Sequence, residues 1–323
     1  MKRRCLALIL GAFSLALSGS TWADEKPFPN RPLTWIIPMG AGGASDVVTR
    51  TIAPFVSKQL GQNIVIDNKP GANGILGEGI VFNAKPDGYT AMVASASVAA
   101  NPFLGRPNYD TTKFVPVIHL GNVWLIMMVN PAVKASSMQE FLALTRGQAP
   151  GTINYGSWGV GGMAHLAGEL FNLEAGVKMT HVPYKTSPAA MTGAIGGEIE
   201  VAIQTSSLAI PQIKAGKLRA LAVAAPTRLP DAPEIPTMTE VGLPGVKIDT
   251  WFGIFLPPGT PRPMVDKLHD AVQAALNDPE TREKLVARGI SPKGGTPEEF
   301  SAYFQAEMAK FKRIVSDAKI PRE

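Results

Sequence analysis

Ile36-Ile37-Pro38-Met39-Gly40-Ala41-Gly42-Gly43-Ala44-Ser45-Asp46 and Ile153-Asn154-Tyr155-Gly156-Ser157-Trp158-Gly159-Val160-Gly161-Gly162-Met163 share one pattern. Each is an apolar, strand-like run that passes through glycines into a helix-like run. Glycine lets backbone approach a ligand closely, and the first turn of a helix carries unpaired N–H groups with partial positive charge. A strand, a Gly-rich turn and a helix start therefore form an anion site without a charged side chain. Two such units in one chain predict two lobes, each offering half of a site for a small anion.

Working outward, the segments around the first run alternate between β and α patterns. Leu33 to Pro38 reads as a buried strand, Asp46 to Leu60 as a helix, Asn63 to Asp67 as a strand, and Tyr89 to Ala94 as another. That order predicts a mostly parallel sheet covered by helices. A second α/β unit surrounds the second run, with strands at Thr152 to Tyr155, Thr180 to Val182, Ile199 to Ile203 and Ala220 to Val223. Trp124 to Val129 and Trp251 to Leu256 bracket this unit as apolar strands. The chain is expected to leave the first lobe along one and to return along the other, which makes a hinge. The divisions that follow are 24–122 with 252–323 for one lobe and 123–251 for the other.

Pro226 to Pro244 is Pro-rich and reads as an irregular surface segment. In the tail, Thr260-Pro261, Asp278-Pro279 and Thr296-Pro297-Glu298-Glu299 read as helix starts with a capping side chain before a proline. Phe300, Tyr303, Phe304, Met308, Phe311 and Val315 share one helical face and are expected to dock on a core.

Residues 1–23 read as a secretory signal peptide: Met1-Lys2-Arg3-Arg4 is basic, Cys5 to Leu17 is apolar, and Thr21-Trp22-Ala23 offers a cleavage site. Removing them leaves 300 residues, a net charge of +2 and no cysteine. That charge, spread without a basic cluster, argues against nucleic acid and against anionic lipid. With no thiol, the exported chain has neither disulfides nor thiolate ligands. No later segment has the length of a membrane span, so no direct membrane insertion is expected.

Catalytic readings of the two runs are weak. Gly40-Ala41-Gly42 lacks the third glycine of a dinucleotide fingerprint, Ser45 standing in its place. Ser157 approaches a nucleophile elbow, but Tyr155 occupies the first glycine position. His119, His165, His181 and His269 show no triad or metal spacing, so no catalytic residue, metal or cofactor is expected. His165 reads as a packing histidine, with a cleft-facing position as the alternative. Asp46 reads first as an acceptor for backbone N–H groups at its helix start. Trp158 has little structural reason to stand in a Gly-rich loop, and with Met39 it would give the cleft two apolar, polarisable walls.

In order along the chain, Pro38 to Asp46, Asn68 to Ala72, Pro86 to Thr90, Tyr155 to Ser157, His165 to Leu170, Val182 to Lys185, Gly196-Gly197, Lys214 to Val223 and Trp251-Phe252-Gly253 resemble the periplasmic solute receptors of tripartite tricarboxylate transporters, the Bug family. The resemblance covers essentially all of the mature chain. It implies a two-lobed, periplasmic-binding-protein-like α/β fold of the Venus-flytrap kind that closes on a carboxylate and hands it to membrane permease subunits. It places Gly42, Gly43, Ala44 and Ser45 in a first cradle, Ser95, Ser97 and Ala99 along the wall, and Ser157, Trp158, Gly159 and Gly161 in the opposing jaw. Met39, Asp46 and His165 complete the candidate set. Many relatives have Phe-Pro-Pro-Gly-Gly where this chain has Met39-Gly40-Ala41-Gly42-Gly43, so the lining of the first loop differs. The expected product is a periplasmic, monomeric binding protein for a small carboxylate, an aromatic mono- or dicarboxylate above citrate or aspartate. A sensor feeding a signalling kinase is the alternative, and a secreted hydrolase a more distant one.

Overall fold

The two-residue side-chain period along Leu33–Ile37 (β1) sends Leu33, Trp35 and Ile37 into the core on one face of a sheet and Ile36 into the core on the other. The computed structural model describes residues 27–322, and the expected signal peptide lies outside them. The chain continues through Ala44–Leu60 (α1), Ile64–Asn68 (β2), Ile75–Phe82 (α2), Thr90–Ser95 (β3) and Ser97–Leu104 (α3). β1 lies between β2 and β3 and is parallel to both, as the βαβ order requires. Val115–Val129 (β4) then runs into the second half of the molecule. There Met138–Arg146 (α4), Asn154–Ser157 (β5), Met163–Ala175 (α5), Thr180–Pro183 (β6), Ser187–Gly196 (α6), Val201–Thr205 (β7), Ser206–Lys214 (α7) and Arg219–Val223 (β8) follow. Asp249–Leu256 (β9) returns, and Arg262–Asn277 (α8), Pro279–Val286 (α9), Ser291–Pro292 (β10) and Pro297–Asp317 (α10) close the fold.

The main path of the sheet is β2-β1-β3-β9-β4-β7-β5-β6. β4 holds its two halves together. From Val115 to Trp124 it pairs with β9, and from Leu125 to Val129 with β7 and β8. β9 and β4 are thus the two crossing strands of a two-lobed α/β fold. The expected crossing strand at Trp124 was too short: β4 begins at Val115, and bulges near Val117 and Leu120 break the alternation that marks a strand.

α10 packs its aromatic face on this hinge. Phe300, Phe304 and Phe311 are buried, and each contributes about 1.5–3 kcal/mol by burial as an upper estimate. Gly253 explains part of the Trp-Phe-Gly signature, because a Cβ there would lie 2.1 Å from the Phe300 ring. Asp278 and Thr296 cap their helices as expected, the latter with Glu299 in a capping box. Thr260 does not cap; its hydroxyl donates to the Pro257 carbonyl, and α8 starts without a side-chain cap. Residues 226–244 are irregular, as expected, and only in part a surface segment. Leu229, Ile235, Met238 and Leu243 are buried, since prolines forbid a ladder without forbidding apolar contact.

Candidate ligand cleft

The first loop leaves β1 at Pro38 and enters α1 with Gly43 at the N-cap. No side chain caps α1, so the amides of its first turn stay available to an anion. Asp46 holds the loop in shape. Its Oδ2 accepts from the Gly42 N–H at 2.9 Å and from Arg50 Nε at 2.9 Å. Arg50 also reaches Asn68, which donates to the Met39 carbonyl at 3.1 Å. The Arg50 bond keeps the Asp46 carboxyl below the usual carboxylate range, against the opposing effect of burial. Asp46 is 4% exposed and committed to its own loop.

The second loop leaves β5 at Ser157, which belongs to the strand, and enters α5 with Gly162 at the N-cap. This helix also lacks a side-chain cap. Ser157 is fully buried. Its Oγ lies 2.6 Å from His181 Nε2, donates to the Gly159 carbonyl at 2.9 Å, and accepts the Gly159 N–H at 3.2 Å. His165 Nδ1 accepts the Gly161 N–H at 2.9 Å. Its ring stacks on His181 with centroids 3.8 Å apart. Burial pushes His165 down to about 3, with His181 adding to the shift, and burial pushes His181 down to about 4. Both rings are therefore neutral near pH 7. Tyr155 braces them from beneath, its hydroxyl donating to Glu169 at 2.6 Å.

The Ser157–His181 contact has the length of a nucleophile–base pair. A hydroxyl with no exposure, already tied to both polar groups of Gly159, instead shapes the loop. In the sequence, His181 shows no triad spacing, because 24 residues separate it from Ser157. The parallel pairing of β5 with β6, which sets Tyr155 opposite His181, brings them together.

The two loops border open space. A side chain added at Gly40, Gly42 or Gly159 would meet nothing within 4 Å. At one end the lobes touch, Gly161 against Leu104 at the end of α3. A cavity of about 220 Å³ lies there, lined by Asn73, Asn101, Arg106, Val160 and Gly161 among others. Met39 reaches the same region, its Cε 3.5 Å from where Gly74 would carry a Cβ. Ser95 and Ser97, at the junction of β3 and α3, bond to each other at 2.9 Å. Ala99 is wholly buried in the core. Trp158 is half-buried against the core that α5 helps to form. Asn73, Asn101 and Arg106 were not anticipated. The one signal for them was Gly71-Ala72-Asn73-Gly74, where Ala72 and Asn73 take φ of 46° and 52°.

Chemically, this is an array of backbone donors at two helix starts, with two hydroxyls and an apolar rim. Among the described residues no three His, Asp or Glu side chains converge as a metal would require. No helix among them is long and apolar enough to cross a membrane.

Comparison with known proteins gives the family. Residues 48–320 match the model of the tripartite tricarboxylate transporter family receptor. The UPF0065 protein in the tcbD-tcbE intergenic region of Pseudomonas sp. (strain P51) is 32% identical, over 97% of this chain and 94% of its own length. An adipate-bound protein of R. palustris is 31% identical, with a TM-score of 0.78 over 92% of this chain and all of its own. MatC from Rhodopseudomonas palustris, with bound malate, is 31% identical, with a TM-score of 0.74 over 89% of this chain and all of its own. The chain belongs to the tripartite tricarboxylate transporter receptor family.

Proposed function

We propose that this chain works in the periplasm as a monomer, captures a small dicarboxylate between its lobes, and presents it to the permease subunits of a transporter. The observation that carries the reading is the pair of uncapped helix starts, at Ala44 and Met163, each behind a Gly-rich loop. The amides of Ala44 and Ser45 hold one carboxylate, Gly42 and Gly43 give it close approach to the backbone, and Ser95 and Ser97 stand beside them. Trp158, Gly159 and Gly161 meet the ligand from the other lobe, the Gly159 and Gly161 amides being held by Ser157 and His165. Asp46, Ser157 and His165 keep the two loops in shape. Adipate and malate in the two relatives support the carboxylate class.

The lobes divide at 122–123 and 251–252, a reading supported by β4 changing partners after Trp124. Closure lets both half-sites bind at once. Small-angle scattering should show a smaller radius of gyration at saturating ligand, and an unchanged radius would leave a rigid pocket.

Trp158 and Met39 favour a flat, aromatic mono- or dicarboxylate over an aliphatic one. Stacking on an indole adds about 0.5–1.5 kcal/mol beyond burial. A calorimetric panel of terephthalate, protocatechuate, adipate, malate and citrate tests this directly. Trp158→Ala should weaken an aromatic acid roughly tenfold and leave an aliphatic one nearly unchanged. Tight adipate or malate binding with inert aromatic acids would overturn the aromatic preference and keep the dicarboxylate.

A further inference from the structure

β4 has two edges at the hinge. One pairs with β9, and the other pairs with β10 at Gly121 and Asn122. Beside the β10 edge lies a cavity of about 800 Å³, between β4, the chain leading into β9, and α10. None of its lining residues belongs to either Gly-rich loop.

Its inner end holds a carboxylate with no counter-charge bonded to it. Asp249, 6% exposed, accepts from Asn122 Nδ2 and makes no ion pair among the described residues. Its neighbours Glu307 and Lys310 satisfy each other at 2.6 Å, and Lys310 also donates to the Lys247 carbonyl. Burial pushes Asp249 up to about 6, with Lys310 opposing and Glu307 adding to the shift. Aromatic rings surround this charge. Trp124, held by its indole N–H on Ser291 Oγ at 3.0 Å, and Tyr303, stacked on His119, both line the cavity. His119 is itself buried, with Nε2 unpartnered. Lys247 and Lys293 are exposed cavity-lining residues, and neither makes an ion pair among the described residues.

A buried carboxylate among aromatic faces selects a cation, and two exposed amines on the same lining select an anion. We propose that this hinge-side cavity is a second ligand site, taking a small amino-carboxylate with its ammonium on Asp249 and its carboxylate toward Lys247 and Lys293. A plain dicarboxylate would meet Asp249 as a like charge. A diamine would meet the two lysines in the same way.

Calorimetry on the full-length mature protein tests this with glycine, 4-aminobutanoate and 6-aminohexanoate, and with 1,5-diaminopentane and adipate as controls. With the front cleft weakened by Gly43→Val, at least one of the amino-carboxylates should bind more tightly than both controls. Asp249→Asn keeps the shape and should weaken that probe tenfold or more, while Lys247→Glu with Lys293→Glu should weaken it several-fold. Tyr303→Phe provides a second variant if Asp249→Asn melts early. Gly43→Val, which strikes the front cleft, should leave the probe's affinity unchanged. Binding lost in Gly43→Val but kept in Asp249→Asn would place the probe in the front cleft and overturn the proposal. So would the absence of any heat at millimolar probe with protein shown folded by circular dichroism.

Discussion

Replacing Gly43 with valine is expected to weaken ligand binding roughly thirtyfold, about 2 kcal/mol, by denying the ligand charge-assisted hydrogen bonds from the start of α1. Gly43 has φ of −73° and ψ of 168°, an extended conformation that any residue adopts, so the substitution does not fail on backbone strain. The added Cβ would stand 3.2 Å from the Gly40 carbonyl oxygen, which pushes the loop aside. The rest of the branched side chain then screens the first-turn amides. Valine is a poorer N-cap than glycine, so a small drop in melting temperature should accompany the loss. Gly40→Ala is the control, because nothing lies within 4 Å of its Cβ. If titration calorimetry finds the tightest dicarboxylate bound equally well by Gly43→Val and the parent, the first cradle is misassigned.

Much of this arrangement could be read from local pattern. The βαβ alternation, both Gly-rich turns and the capped tail helices depend on residues close in sequence. Their signals survive in a single chain because turn chemistry and amphipathic spacing act over a few residues. What escaped was set by distance or by irregularity. α3 contains Pro102 and a run of small residues, Val98-Ala99-Ala100, and carries no distinct amphipathic stripe. β4 is interrupted by bulges. The chain from Pro226 to Pro244 is largely exposed yet buries Met238 and Leu243 without forming an element, so composition showed its surface side and not the part that packing makes core. Several partners that fix the cleft are long-range: His181 on Ser157, and Asn101 on Asn73 and Glu78. No periodicity encodes those pairings. They follow from which strand lies beside which.

The last of these pairings predicts a pH dependence of stability. Glu78 is 1% exposed; its Oε2 accepts from the Tyr109 hydroxyl at 2.6 Å and its Oε1 from Asn101 Nδ2 at 2.7 Å. Asn101 in turn exchanges hydrogen bonds with Asn73, so the left-handed turn under Met39 rests on this buried acid. Burial pushes Glu78 from 4.5 up to about 7, against the two hydrogen bonds. The folded chain therefore holds this proton more tightly than the unfolded one does. Its contribution is fully present below about pH 4.5, declines as pH rises, and is gone above about pH 7, a span on the order of 3 kcal/mol. His119, His165 and His181 act in the opposite sense, because burial lowers each of them and stability then rises with pH as the unfolded-state histidines lose their protons. The parent curve mixes both trends, and only the difference from a variant isolates Glu78. Glu78→Gln keeps the volume and a hydrogen-bonding group at the same place, and removes the titration. Urea unfolding of the two proteins at pH 5 and pH 8 should show the variant gaining on the parent at the higher pH. A stability difference that is flat between those values would mean that Glu78 is ionised in the folded chain throughout, with Tyr109 and Asn101 outweighing its burial.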